Sequence, residues 1–150
     1  IGKVWSKVCR EIAKKQHKDP YIGWYRAVEE ACAHIKPEEV DVILATGSPF
    51  FSYDLAKKLS VRLKKPYVLD YRDPWTTDPH NVVYQEEFEM EKDVISTTSA
   101  VMIVSPSWAE DKDKQHNLGN RLHVVMNGFD PETLPKIQPT DFGHFAIVLS

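Results

Sequence analysis

The sequence predicts an α/β protein built on a parallel sheet, and two observations lead to this prediction. Four short apolar runs recur along the chain, and a helix-like stretch separates each run from the next. The runs are VDVILA (40–45), YVLDY (67–71), AVMIVS (100–105) and LHVVM (122–126). Continuous apolar runs are typical of strands that are buried on both faces of a parallel sheet and joined by right-handed helical crossovers. We therefore expect a Rossmann-like, doubly wound sheet with helices on both faces.

The helices are predicted from apolar residues at helical spacing. Such residues recur in the stretches 1–12 and 24–35, and Pro37 ends the second stretch. After the first strand, an apolar residue stands at every fourth position from Phe51 to Leu63 and predicts a third helix. A polar helix is expected within 82–98 and a further helical segment within 107–117, each between two strands.

Composition is that of an ordinary globular domain. The chain has 150 residues, 42% hydrophobic and 27% charged, with a net charge of -3. Its longest apolar runs are about six residues, whereas a membrane-spanning helix needs roughly 20. Basic residues concentrate in 14–18 and 57–65, which suit either solvent or an anionic surface. We expect no nucleic-acid partner.

Domain organisation is predicted from the last third of the chain. Because the sequence begins at Ile1 rather than Met, we expect it to be a piece of a longer protein. Residues 1–133 are expected to form a partial N-terminal domain, and the proline-rich stretch 134–142 an interdomain linker. The final apolar run, 143–150, then predicts the first strand of a second domain.

Polar residues follow the strands, and in open parallel sheets ligands bind beyond the carboxyl ends of the strands. The segments are TGSP (46–49), DYRDPWT (70–76), SPSW (105–108) and NGFD (127–130). Ser48 and Ser105 are expected to cap helices, with Pro49 and Pro106 at the first helical position. Helix N-termini at this edge favour an anionic ligand.

The segment DYRDPWT provides the strongest candidates for ligand binding. Arg72 can hold a carboxylate or phosphate as a bidentate fork, Asp73 can accept hydrogen bonds from sugar hydroxyls, and Trp75 can stack on an apolar sugar face. A structural alternative stays open for each. Asp70 and Asp73 can instead hold Arg72 and its loop, and Trp75 can pack beneath a helix.

A metal site is the weaker interpretation of the same segment. Asp70, Asp73, Asp78 and His80 provide oxygen-rich ligands of the kind that magnesium prefers. However, Arg72 stands where the phosphatases with an Asp-x-Asp motif have their second carboxylate. Motifs for nucleotide loops, zinc proteases and nucleophile elbows are missing from the sequence. We therefore expect neither a metal nor a cofactor.

Five segments resemble, in order and spacing, the acceptor-side domain of the family 4 glycosyltransferases. They are DPYIGW (19–24), DVILATGSPFFSYDLAKKL (41–59), PYVLDYRDPWT (66–76), MIVSPSWAEDK (102–112) and VVMNGFDPE (124–132). These are bacterial enzymes with two Rossmann-like domains that transfer a sugar with retention and without a metal. The resemblance implies transfer from a nucleotide-sugar donor to a glycan or lipid-linked acceptor in cell-envelope polysaccharide synthesis.

The resemblance also implies where the protein works and which residues meet substrate. It implies a cytoplasmic enzyme with peripheral contact at the inner membrane face, and a donor site mainly in the second domain, so that this piece alone is inactive. Many relatives have a histidine after the first strand where this chain has Gly47 and Ser48, so no catalytic residue is assigned. The expected substrate-binding residues are Gly47, Ser48, Arg72, Asp73, Trp75, Ser105, Asn127 and Gly128.

Two alternatives remain open from the sequence. The chain can instead be a non-catalytic Rossmann-like module that binds a small anion at its strand ends. Asn127 and Gly128 resemble the interdomain corner of the family, but they also fit a plain tight turn.

In the basic stretch 57–65, the cations are expected to face solvent or lipid headgroups: Lys57, Lys58, Arg62, Lys64 and Lys65.

Overall fold

The computed structural model describes residues 24–80, 82–132, 141–145 and 147. The helix predicted within 1–12 lies outside these residues, and so do most of the predicted linker and half of the predicted final strand. All four remaining strand predictions are confirmed, and the strands pair in parallel throughout. They are β1 (Ile43–Gly47), β2 (Tyr67–Tyr71), β3 (Ala100–Ile103) and β4 (Leu122–Val124). The chain is therefore an α/β protein with a Rossmann-like fold.

A helix follows each of the first three strands and returns the chain to the start of the next strand. The helices are α1 (Tyr25–Cys32), α2 (Phe51–Leu63), α3 (Gln85–Thr97) and α4 (Pro106–His116). Short 3-10 turns, Pro37–Glu39 and Gly119–Arg121, precede β1 and β4. Within the described residues, no helix is both long enough and apolar enough to cross a membrane.

The strands lie in the order β1-β2-β3-β4, so consecutive strands are always neighbours. Crossovers of one hand then place their helices on the same face of the sheet. One core cluster accordingly joins alternate strand residues to all three crossover helices. Its members include Ala45, Leu69 and Val101 from the strands, and Tyr53, Val94 and Ala109 from the helices.

Helices on both faces were predicted, and the described residues confirm them for one face. On the other face Leu44, in the middle of β1, is 61% exposed. The reversal of strand order that opens a ligand crevice in doubly wound sheets is also missing among the four described strands.

Strand boundaries differ from the prediction where neighbouring elements compete for the same residues. β1 begins at Ile43 rather than at Val40, because Val40 still terminates the preceding 3-10 turn. The backbone N–H of Ile43 then donates to the Pro66 carbonyl at 3.0 Å, where pairing with β2 starts. β3 ends at Ile103, because Ser105 already begins α4.

The register aligns the carboxyl ends of the four strands. Gly47 pairs with Tyr71, Tyr71 with Ile103, and Ile103 with Val124. The residues that follow each strand therefore emerge at one edge, which we call the carboxyl edge. It carries the segments that begin at Ser48, Arg72, Val104 and Val125.

Candidate functional site

Arg72 links two segments of the carboxyl edge. Its Nε donates to Asp70 Oδ2 at 2.8 Å, and its Nη1 donates to Asn127 Oδ1. Asn127 is 55 residues further along the chain and follows β4, two strands away from β2. The side chain of Arg72 remains 49% exposed, so part of it still faces solvent.

Asp70 is a buried carboxylate that orients Arg72. Side chains alternate along β2, and Leu69 and Tyr71 point to the helices, so Asp70 points to the opposite face. Its side chain is only 7% exposed, and Arg72 supplies a charged hydrogen bond that offsets the cost of burial. Asp70 therefore has the structural role that was left open from the sequence, which is to hold Arg72.

The other predicted ligand residues of the carboxyl edge are more open. Ser48, Asp73, Asn127 and Gly128 are all exposed. A Cβ added to Gly128 would meet no atom within 4 Å, and its φ lies outside the left-handed region. The chain around Gly128 therefore does not itself require glycine.

Gly47 has a packing role, because a side chain there would collide with the core. An added Cβ would lie 2.6 Å from Phe50 Cδ1 and 2.6 Å from the Tyr53 hydroxyl oxygen. Gly47 is buried, so only its main chain is available to a ligand. The peptide bonds on either side of Ser48 are cis.

The two predicted helix caps have different outcomes. Ser105 is the N-cap of α4 and Pro106 follows in the first turn, as predicted, although the Ser105 Oγ pairs with the Ser107 Oγ at 3.0 Å rather than with a helix N–H. The prediction that Ser48 caps a helix is wrong. α2 begins at Phe51 with Phe50 as its N-cap, because Pro49 lies in a turn that precedes the helix.

Trp75 is a core residue, which corrects its expected role as a platform for a sugar. Its indole is 5% exposed and stacks on Phe50 with ring centroids 4.8 Å apart and an interplanar angle of 6°. Tyr53 meets it edge-on at 5.9 Å. With one face covered and the ring buried, no sugar can stack on it in this conformation.

A buried polar network lies beneath the segment 70–76, and the sequence analysis did not predict it. Lys112 Nζ, on α4, donates to Glu91 Oε1, on α3, at 2.7 Å, and both side chains are 1% exposed or less. The hydroxyl of Thr76 donates to Glu91 Oε2. Gln115 Nε2 donates to that same hydroxyl oxygen at 3.0 Å.

Within the described residues, Tyr71 Oη, Thr77 Oγ1 and His116 Nε2 are also buried and have no hydrogen-bond partner there. His116 Nε2 lies 3.5 Å from Glu91 Oε2, slightly beyond a normal hydrogen bond. The Lys112 ammonium also lies 5.1 Å from the centroid of the Tyr71 ring. Glu91 is thus the most densely surrounded polar group of the network.

The charges of this network set the direction of each pKa. Burial raises the pKa of Glu91, but His116, Lys112 and Thr76 together outweigh it, so the net shift is downward. Burial lowers the pKa of the Lys112 ammonium, and Glu91 offsets part of that effect. Burial and the nearby Glu91 charge raise the pKa of Tyr71 well above its ordinary value.

A signal for this network exists in the sequence. In α3, Phe88, Glu91 and Val94 share one helical stripe, and in α4 Lys112 lies four residues after the partly buried Trp108. A charged residue inside an apolar stripe indicates a buried partner of opposite charge. Neither helix was expected to bury a charged residue.

The carboxylates considered for a metal do not form a cluster. Asp70 is engaged by Arg72, and Asp78 Oδ1 accepts a hydrogen bond from the backbone N–H of His80 at 2.9 Å. In the part of the chain that the structure describes, no three side chains of ligand type converge on one point.

The basic stretch 57–65 is more engaged with the protein than predicted. Lys57 pairs with Asp93 at 2.6 Å, and Lys58 pairs with Asp54 at 3.3 Å. Arg62 donates to three carbonyls at the end of α1, those of Cys32, Ala33 and Ile35. Lys58 and Arg62 still face solvent, as expected, whereas Lys57 is mostly covered, and all three cations also pair within the protein.

No protein-family model matches this chain. A search of curated proteins likewise returns no match. The resemblance to family 4 glycosyltransferases therefore stays a prediction from the sequence motifs.

Proposed function

We propose that this chain is the acceptor-side part of a retaining, metal-independent glycosyltransferase. It would move a sugar from a nucleotide-sugar donor to a glycan or lipid-linked acceptor in cell-envelope polysaccharide synthesis. The contact between Arg72 and Asn127 is the observation that supports this most. It joins DYRDPWT and VVMNGFDPE, the two most specific segments of the resemblance, which are far apart in sequence.

The charge balance of the carboxyl edge favours an acceptor with hydroxyl groups over a bare anion. The Arg72 guanidinium is paired with Asp70 at 2.8 Å, and a second carboxylate, the exposed Asp73, follows Arg72 directly in sequence. A phosphate would meet a guanidinium whose charge is already compensated. Sugar hydroxyls, in contrast, can donate to Asp73 and accept from Arg72. This argues against the alternative of a simple anion-binding module.

The chemistry of transfer assigns the remaining tasks to other groups. Departure of a diphosphate develops negative charge, which positioned cations must stabilise when no metal is present. We place those cations mainly in the second domain.

Peripheral membrane contact is also part of the proposal. Within the basic stretch 57–65, the residues that we expect to make this contact are Lys64 and Lys65, for which no ion pair is seen among the described residues.

The first test is transfer activity of the full natural polypeptide with Arg72→Ala. Loss of one charged hydrogen-bonding group at an acceptor site is expected to lower kcat/KM by about 10- to 100-fold. The matched control is Arg26→Ala, since Arg26 is an 88% exposed arginine on α1 that pairs only with Glu30 among the described residues. Sugar incorporation into glycan or lipid is measured with and without a metal chelator.

Two results would contradict the proposal. Equal activity of Arg72→Ala and Arg26→Ala would remove Arg72 from the site, and loss of transfer with chelator would rule out a metal-independent reaction. Calorimetric titration of the 150-residue chain with inorganic diphosphate distinguishes the proposed glycosyltransferase from the alternative, an anion-binding module. Tight binding there would support the anion-binding module instead.

A further inference from the structure

Arg72 and Asp73 lie in a very short exposed segment with buried ends. We call residues 72–74 the strap. Tyr71 precedes it and is 1% exposed, and Trp75 follows it and is 5% exposed. Three residues between two buried anchors have few conformations, and Pro74 restricts them further. The position of Arg72 therefore depends on how firmly both anchors are held.

The first anchor is part of the sheet. Tyr71 is the last residue of β2, and its carbonyl accepts the backbone N–H of Val104 at 3.3 Å. Its ring packs on Tyr53 with centroids 4.9 Å apart. This end of the strap is fixed by the core itself.

The second end of the strap is held at two successive residues, and Glu91 holds one of them. Trp75 is held by stacking on Phe50, but the next residue, Thr76, is held by its hydroxyl, which donates to Glu91 Oε2. Glu91 is completely buried and belongs to α3, and its other oxygen is held by Lys112 from α4. Its position is thus fixed by two helices that are independent of the strap.

From this geometry we propose that Glu91 is a positioning residue that acts through Thr76. It holds the strap so that Arg72 reaches both Asp70 and Asn127 at the carboxyl edge. The inference rests on the proposed function, since Arg72 is taken there to contact the acceptor. Lys112 has the supporting task of holding the buried carboxylate in its charged form and orientation.

The sharpest test replaces Thr76, because Thr76→Val removes the hydroxyl and leaves the Glu91–Lys112 pair in place. Thr76→Ser keeps the hydroxyl and is the conservative rescue. The matched control is Thr98→Val, which removes another buried hydroxyl, one that donates to the Tyr67 and Ala100 carbonyls away from the strap. All three are made in the full natural polypeptide.

The first readout is independent of activity. NMR order parameters of the Arg72 and Asp73 amides are expected to fall from about 0.85 to about 0.6 in Thr76→Val. The Arg72 Nε–H resonance should shift as its contacts with Asp70 and Asn127 loosen. Thr76→Ser and Thr98→Val should leave both signals close to wild type. Unchanged strap signals in Thr76→Val would overturn the proposal.

The second readout is a double-mutant cycle on transfer. Thr76→Val is expected to lower kcat/KM by about tenfold alone and to have no further effect in an Arg72→Ala background, because coupled residues are non-additive. A drop of equal size in both backgrounds would mean that Thr76 acts through general stability and would overturn the proposal. If Arg72→Ala leaves transfer unchanged, the proposed function fails, and the NMR readout alone decides whether Glu91 holds the strap.

Discussion

At the scale of single residues, Tyr53 connects α2 to the end of β2. Its side chain is fully buried, and its hydroxyl donates to the Asp70 carbonyl at 2.8 Å. Burial raises its pKa far above the ordinary value, so the hydroxyl stays a donor at all ordinary pH values. The residue therefore fixes α2 against β2 directly beneath the carboxyl edge.

We expect Tyr53→Phe to lower the free energy of unfolding by about 1–2 kcal/mol, because a buried carbonyl loses its donor. Tyr25→Phe is the matched control. The Tyr25 hydroxyl donates to Asp54 at 2.6 Å, and burial and this hydrogen bond raise the pKa of Tyr25 to about 12. Asp54 also pairs with Lys58. Urea denaturation should show a smaller loss for Tyr25→Phe, and equal losses would contradict the argument from burial.

At the scale of elements, a buried ion pair between Glu91 and Lys112 joins α3 to α4 on the face of the sheet. Glu91 and Lys112 are both buried, and the polar side chains of Thr76 and His116 lie against the Glu91 carboxylate. Removing two charges from water costs free energy that their attraction only partly returns. We therefore expect the pair to contribute little net stability. Its effect is to fix the position of the Glu91 carboxylate, which Thr76 contacts.

Glu91→Gln alone is expected to cost about 3–5 kcal/mol, because it leaves the Lys112 ammonium buried without a counter-charge. Glu91→Gln with Lys112→Met should recover most of that loss, since the second change removes the unpaired charge. Denaturant unfolding measures both variants. If the double variant were no more stable than Glu91→Gln, the pair would contribute stability of its own.

The comparison pair joins the same helix, α3, to α2. Asp93, two residues from Glu91, pairs with Lys57, but its side chain is 60% exposed. Asp93→Asn should cost less than about 1 kcal/mol, as exposed ion pairs contribute little. A larger loss of stability for Glu91→Gln than for Asp93→Asn would show that burial causes the difference between the two ion pairs.

At the scale of the whole molecule, the network makes stability depend on pH in acid. The pKa of Glu91 is lower in the folded protein than its ordinary value of 4.5. Its contribution to stability is therefore fully present above pH 4.5, and it is lost as pH falls through the folded value.

We expect the free energy of unfolding to fall below pH 4.5, more steeply in the wild type than in the variant with Glu91→Gln and Lys112→Met. The variant lacks the carboxylate that must be protonated. Urea denaturation at pH 7, 4 and 3 makes the comparison. Parallel curves for the two proteins would show that other carboxylates cause the acid sensitivity.

Prediction from the sequence succeeded where a residue's environment follows from its neighbours along the chain. β2 was predicted residue by residue, because YVLDY is apolar on the helix side and is bounded by Pro66 and by the charged strap. Ser105 and Pro106 were placed correctly at the start of α4 for the same local reason. The prediction for Ser48 was wrong because the same Ser-Pro pattern there precedes a turn, and the helix begins only at Phe51.

The candidate site was predicted only in part. The sequence identified Arg72 and Asn127 separately, and parallel strand order implied a shared edge, but only the register and the reach of the guanidinium bring them into contact. Trp75 was misassigned because an indole beside charged residues suits a sugar as well as a core. Its stacking on Phe50 depends on how α2 packs on β2.

The sequence by itself determined the alternation of strands and helices, the parallel class and the residues that reach the carboxyl edge. Local periodicity and turn chemistry suffice for these. Packing of the elements decided which face the helices cover, that Glu91 and Lys112 are buried together, and that Thr76 contacts Glu91. Those outcomes depend on contacts between residues distant along the chain, and such contacts become defined only when the elements pack.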